Sequence, residues 1–206
     1  MGASMEASAP SRITGRSRAK ASRRAALLDA AAQLFAERGY NGVSIEDLGA
    51  AAGVSGPAVY RHFSGKPAVL AALLAGVSED LLQGSNAVVA EAADPASALR
   101  GLIQFQVDFA LRNANVIRVQ DRDLNSLSPE DEHTVRFLQR QYVEVWVDVM
   151  AQLLPDADPG HLRRKAHAAF GLINSTPHTT SRRKTSNDIA DLRSLLEKMA
   201  WSALNA

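Results

Sequence analysis

The sequence predicts an all-α protein of about nine helices, an N-terminal three-helix head joined to a larger helical domain. Two observations carry that prediction. Apolar residues recur three and four apart along most of the chain, as in Leu27, Ala31, Leu34 and Phe35, and no strand-like alternation persists. Ser, Asp, Gly and Pro interrupt the pattern where helices would start and stop. At 206 residues and 46% hydrophobic, the chain can bury a substantial core as one two-part unit.

Residues 1–21 read as a disordered basic arm, rich in Ser, Ala, Gly and Arg. Arg12, Arg16, Arg18, Lys20, Arg23 and Arg24 lead into the first helix and can follow a DNA backbone or enter a minor groove. Before Arg16 a solvated tail is the preferred reading. The first helix is expected over Ser22–Arg38, stopped by Gly39 and Asn41-Gly42.

Two short helices then share residues 44–63. Ser44 is a good N-cap, and Asp47 three residues later completes a capping-box-like pair. Gly53 can take the left-handed conformation that ends one helix and turns the chain. Ser55 is expected to cap the second helix, whose early Pro57 is tolerated because the first helical N–H groups have no intrahelical partner. Two helices joined so tightly present the second outward, in the manner that fits a DNA major groove.

Ser64-Gly65-Lys66-Pro67 opens a long connector helix to about Ala93, a rod able to turn a small push into a swing. After the Asp94-Pro95 break, helices are expected from Ala96 to about Arg112 and from Asn113 to Leu124. Ser128 should cap a long helix from Glu130 to Leu154, with Leu138, Tyr142, Val145, Val149 and Leu153 as its core stripe. The 155–159 Pro-Asp segment breaks the chain before two last helices, Gly160–Thr176 and Asn187–Leu204.

Charge supports the head's assignment. Net charge is +1, yet residues 1–66 hold nine Lys/Arg against five Asp/Glu, a net +4, leaving −3 for residues 67–206. The basic end is the end expected to meet phosphates.

With these residues laid out, the chain resembles the TetR family of bacterial transcriptional regulators. The resemblance rests on three matches taken together: Leu34-Phe35-Ala36-Glu37-Arg38-Gly39-Tyr40, the Gly53-Val54-Ser55 turn, and Val59-Tyr60-Arg61-His62-Phe63 followed by Lys66. It implies a helix-turn-helix DNA-binding domain over 22–66 and a ligand-binding and dimerisation domain over 67–206. It also implies that the 56–62 helix enters the major groove, with Tyr60 and His62 as a phosphate-contacting pair. Judged on chemistry, Gly56, Pro57 and Ala58 can lie against thymine methyls, next to the capping Ser55. Arg61 can grip guanine O6 and N7 or hold a phosphate. Lys66 is expected to add a point charge at the backbone, and Ser44 with its helix N-terminus to present N–H groups to another phosphate. Val59 and Phe63 read as core.

A single head contacts too few bases for useful specificity, so a homodimer on a palindromic operator is expected through residues about 160–204. Small residues Ala168, Gly171 and Ser175 face one way, and Leu192, Leu195, Leu196 and Met199 form an apolar stripe opposite Arg193 and Lys198. Both stripes can instead pack within the monomer. The resemblance further implies a cavity for a small-molecule effector. Phe105, Phe109, Tyr142, Trp146 and Phe170 are the wall candidates, with Arg118, Gln139, Asn174 and His178 to orient a ligand. Aromatic walls with nearby arginines suit a lipophilic molecule with an anionic end. The 118–124 and 136–146 stretches resemble those of actinobacterial regulators of acyl-CoA and lipid catabolism, which makes a fatty or branched acyl-CoA the leading candidate.

The function expected is a ligand-responsive repressor. The alternative is a constitutive or architectural DNA binder without an effector. An enzyme is not expected: His161 and His167 fall on different helix faces, and no HExxH, P-loop or nucleophile elbow occurs. No cofactor and no metal are expected. Zero cysteines exclude disulfides and thiolate metal sites. A polar, basic start and the lack of a long apolar run lead to the expectation of a cytoplasmic protein without a membrane span.

Overall fold

The computed structural model describes residues 15–175 and 185–205. Among them are nine α-helices and no strand. They are α1 (Gly15–Arg38), α2 (Ile45–Ala51), α3 (Gly56–Val59), α4 (Lys66–Glu91), α5 (Pro95–Arg112), α6 (Ala114–Asp123), α7 (Pro129–Leu153), α8 (Pro159–Asn174) and α9 (Ser186–Leu204). A 3₁₀ turn, Leu124–Ser126, follows α6.

Five helices carry proline in their first turn, namely Pro57, Pro67, Pro95, Pro129 and Pro159, where a missing N–H removes no intrahelical bond. Side chains cap other loose N–H groups, in several of the same helices. Asp94, Ser128 and Asp158 accept from Ser97, Asp131 and His161, and Thr185 forms a full capping box with Asp188. Two boundaries depart from expectation: α3 ends at Val59 rather than at residue 62, and α1 starts early. α1 begins at Gly15 rather than Ser22, because Arg, Ala and Lys propagate a helix well. Arg18 and Lys20 are therefore helical, not part of a loose arm.

Two cores form. The first joins Leu27, Phe35, Leu48, Val59 and Phe63 of the head to Val69, Leu70, Leu73 and Leu74 of α4, and takes in Val116, Val119, Leu127 and Val135. The second gathers α5, α7, α8 and α9 around a fully buried Trp146. In α7 the buried residues are Val135, Tyr142, Val143, Trp146, Val147, Val149 and Met150, while Leu138, Val145 and Leu153 are half-buried. The expected stripe was thus rotated by about one residue. α4 has the length and composition to cross a membrane, contrary to the expectation of no membrane-length apolar helix. Its Val69, Leu70, Leu73 and Leu74 instead enter the protein core.

α9 is fastened to α5 from two sides. Arg193 pairs with Asp108, and the Arg100 guanidinium lies 4.2 Å from the centre of the Trp201 ring. Leu196 is buried and Leu192 packs against the core, whereas Leu195 (53%) and Met199 (44%) stay exposed. The expected apolar stripe therefore splits between the monomer core and solvent.

Candidate DNA-binding head and effector cavity

The head is built on close backbone contacts. The Ser44 hydroxyl accepts from the Asp47 N–H at 3.0 Å, and Asp47 Oδ2 accepts from the Ser44 N–H at 2.9 Å. The Ser44 hydroxyl, which also donates to Asp47 Oδ2 at 2.6 Å, and the Ser44 N–H hold the Asp47 carboxyl below its usual range. Gly53 has φ of +69°, and beyond it the Val54 N–H returns to the Gly49 carbonyl at 2.8 Å. Gly49 makes that return possible: a Cβ there would stand 2.9 Å from the Val54 oxygen and 3.1 Å from the Gly56 nitrogen. Sequence reading missed this glycine. Its signal was present, since a glycine inside a short helix weakens it unless something packs close.

α3 spans only Gly56–Val59. The turn then tightens, with Arg61 and His62 N–H groups bonding three residues back, to Ala58 at 3.2 Å and Val59 at 2.9 Å. Ser55 holds the N-cap position, yet its hydroxyl makes no cap bond, contrary to expectation. Ser55, Pro57, Tyr60 and Arg61 are exposed, Tyr60 at 58%; Gly56, Ala58 and His62 are half-buried. His62 Nδ1 is buried with no partner among the described residues. Val59 and Phe63 are core residues, and Arg24 lies 5.0 Å over the Phe63 ring. Lys66 takes a structural task instead of standing free at the DNA backbone. Its ammonium donates to the Tyr40 and Val43 carbonyls, each at 2.9 Å, and sits 4.4 Å over the Tyr40 ring. It ties the α1–α2 loop to the start of α4.

The body touches the head through Arg122 at the end of α6. Its guanidinium donates to the Phe35 carbonyl and to the Ala36 carbonyl near the C-terminus of α1. Asp123, almost fully buried, accepts from the same guanidinium at 2.9 and 3.1 Å, which raises the arginine's pKa.

Within the body, α4 to α8 enclose a cavity of about 200 Å³. Phe109, Gln139, Tyr142, Phe170 and Asn174 of the expected set line it, and the structure adds Ser78, Leu81, Gln106, Ile117, Gln120, Val143 and His167. A hydrogen-bonded chain crosses it. The Tyr142 hydroxyl donates to Gln106 Oε1 at 2.7 Å, and Gln106 Nε2 donates to Asn174 Oδ1 at 2.9 Å. Burial pushes the Tyr142 phenol far above its ordinary value, so it remains a donor. Gln106 sits in the apolar stripe of α5, a signal that it serves something other than packing. The Gln139 Nε2 is buried with no acceptor among the described residues.

Other expected ligand residues fall elsewhere. Trp146 packs edge-on against Phe170 at 5.0 Å, behind the wall rather than in it. Phe105 lies over Gly84 and lines a separate hollow with Phe109. Arg118 is not among the cavity's lining residues. His178 lies outside the described residues. A second hollow of about 360 Å³ adjoins the cavity, lined by Arg136, Gln139, Arg140, Val143, Glu144, Arg163 and His167. Arg163 grips Glu144 with two bonds of 2.6 and 2.7 Å, holding that carboxyl below its usual range.

The fold and head define a helix-turn-helix protein of the DNA-binding class, with a cavity in its helical body. The chain belongs to the TetR family. The family model described as bacterial regulatory proteins, tetR family, matches residues 27–73, and that described as tetracyclin repressor-like, C-terminal domain, matches residues 92–178. The HTH-type transcriptional repressor KstR2 of Rhodococcus jostii (strain RHA1) is 28% identical over 132 residues. That match covers 64% of this chain and 65% of the relative, so it spans just under two thirds of that protein's length. A TetR-family regulator from Bordetella parapertussis 12822 shares the fold with a TM-score of 0.76 at 23% identity, covering 86% of this chain and 93% of that one. AibR, solved in complex with isovaleryl coenzyme A and operator DNA, shares it with a TM-score of 0.67 at 21% identity, over 85% and 97%.

Proposed function

We propose that this chain is a cytoplasmic, ligand-responsive transcriptional repressor without catalytic activity. It binds a palindromic operator as a homodimer and releases it when a small lipophilic effector, with an acyl-CoA the leading candidate, fills the body cavity. One observation carries the reading. α4 contributes Ser78 and Leu81 to the cavity wall and Val69, Leu70, Leu73 and Leu74 to the head core, so one rod is shared by both sites. An effector that favours a shifted α4 by a few kcal/mol suffices to empty the operator. The repressor KstR2 among its relatives, and the isovaleryl coenzyme A bound by AibR, support this reading.

In this account Tyr60 and Arg61 make the outward DNA contacts, with Ser55, Gly56, Pro57 and Ala58 at the groove and the outer edge of His62 beside them. Ser44, with its hydroxyl committed to Asp47, contributes through the helix end it caps. Lys66 acts chiefly by fixing the head to α4. The dimer forms through α8 and α9: Gly171 of α8 has open space where a side chain would be, and Ile189, Leu195 and Met199 of α9 expose apolar surface. A close helix approach would cover both, as in a four-helix bundle.

The test is binding to promoter-proximal DNA of the protein's own locus, with Tyr60→Ala and Arg61→Ala alongside. Specific binding by wild type, lost in folded variants and released by an acyl-CoA, is expected. Specific binding that no acyl-CoA or other small effector releases would favour the constitutive binder. No specific binding at all would overturn the regulator reading.

A further inference from the structure

The cavity and the arginine-lined hollow beside it are two parts of one site. Gln139, Val143 and His167 line both, so the neutral cavity opens directly onto the basic surface between α7 and α8. Inside, the polar lining is dominated by uncharged amides: Gln106, Gln120, Gln139 and Asn174. Outside, Arg136, Arg140 and Arg163 face one carboxylate, Glu144. Glu132 steadies Arg136 at 2.7 Å and Glu144 steadies Arg163, so two of the three guanidinium groups are held in place. Arg140 stands one helical turn from both Arg136 and Glu144 on α7, with no ion-pair partner among the described residues. Gln139, which lines both hollows, carries a buried amide nitrogen with no acceptor among the described residues.

Resting on the effector-responsive reading above, we propose that the effector is a short acyl thioester of a phosphorylated carrier. Its acyl group fills the cavity, its thioester carbonyl accepts from Gln139 Nε2, and its phosphates lie on Arg140 with Arg136 and Arg163 at their flanks. Each part answers one feature. A buried donor lacking a partner is satisfied by a carbonyl oxygen. Guanidinium groups match phosphate oxygens in pairs. The cavity, about 200 Å³, is little larger than the ~150 Å³ space that holds a benzene ring. That limits the buried part to a short or branched chain. The cavity alone falls below the ~300–1,000 Å³ usual for ligand sites, and the adjoining hollow brings the whole into that range.

Calorimetric titration of the full chain with hexanoyl-CoA, hexanoate, free coenzyme A and palmitoyl-CoA tests this. Hexanoyl-CoA should bind more tightly than hexanoate or coenzyme A by at least about tenfold, the equivalent of one charge-assisted hydrogen bond. Palmitoyl-CoA should bind more weakly than hexanoyl-CoA. Arg140→Ala should remove most of the advantage over hexanoate, and Gln139→Leu should weaken the thioester by about tenfold. Arg140 is exposed and Gln139 is half-buried, and circular dichroism of both variants checks that they fold. Equal affinity for hexanoyl-CoA and hexanoate, or an Arg140→Ala variant with full thioester affinity, would overturn the proposal. So would the absence of any thioester binding. If operator binding and its release by another effector persist in that case, the regulator reading stands and only the effector's chemistry is wrong.

Discussion

Replacing Gly49 with alanine measures how closely α3 must be seated. The added methyl would stand 2.9 Å from the Val54 carbonyl oxygen and 3.1 Å from Ser55 carbonyl carbon and Gly56 nitrogen. All three are backbone atoms of the turn, so no side chain can swing aside. Restoring ordinary contact requires α2 and the turn to separate by roughly half an ångström, and overpacking of that kind costs about 1–3 kcal/mol. Alanine's better helix propensity returns ~1 kcal/mol, leaving a net loss of up to about 2 kcal/mol. For a chain of this size that lowers Tm by up to about 8 °C. The displaced α3 should also cost operator affinity at least about tenfold, beyond what stability explains, because groove contacts depend on its placement. Gly76→Ala supplies the control. It lies within α4 with nothing within 4 Å of the added carbon, so it should stabilise by about 0.5–1 kcal/mol. Thermal unfolding and operator anisotropy on both variants decide the matter. A Gly49→Ala protein as stable as Gly76→Ala, with wild-type operator affinity, would refute the close-packing argument.

Arg122→Ala leaves the buried Asp123 without its guanidinium and strips two α1 carbonyls of their donor. Because Arg122 is about half exposed, the expected loss is only about 1–2 kcal/mol by denaturant unfolding, with Asp123→Asn in the same chain recovering part of it. Effector-driven operator release should weaken in this variant, as read by the same anisotropy assay. Gly171→Leu and Leu195→Asp should make the proposed dimer monomeric in sedimentation at micromolar concentration while leaving helicity unchanged. Burial raises the pKa of Tyr142 and Tyr40 above the unfolded value of 10, so the folded state keeps protons that the unfolded chain releases. Stability should hold below about pH 9 and fall as pH rises through 10. Unfolding titrations across that range should show a shallower fall for Tyr142→Phe.

Local chemistry made much of the fold readable. Helix-opening prolines, the Ser44–Asp47 pair and Gly53 act within a few residues of themselves, so their consequences are written in adjacent sequence. The faces of long helices were harder to read. In α7 the expected stripe and the buried one differ by a rotation of about one residue, because Val and Leu occur on both sides of the helix. The cavity was read only in part. Aromatic residues were expected to surround it, yet Trp146 went to the core and Phe105 went to a gap opened by Gly84, choices made by partners on other helices. Lys66 shows the same limit. Its local sequence resembles a phosphate contact, and only the three-dimensional fold brings the Tyr40 and Val43 carbonyls to it.

The first core is not confined to the head. Val116, Val119, Leu127 and Val135, from α6, the loop after it and the start of α7, complete it. A head excised after α4 would therefore leave those positions empty and expose apolar surface from α1 and α4. Exchanging DNA-binding heads between regulators to rewire their targets is a modular operation only where the seam is polar. Here the seam is apolar, and a working chimaera would have to carry the matching face of α6 along with the new head.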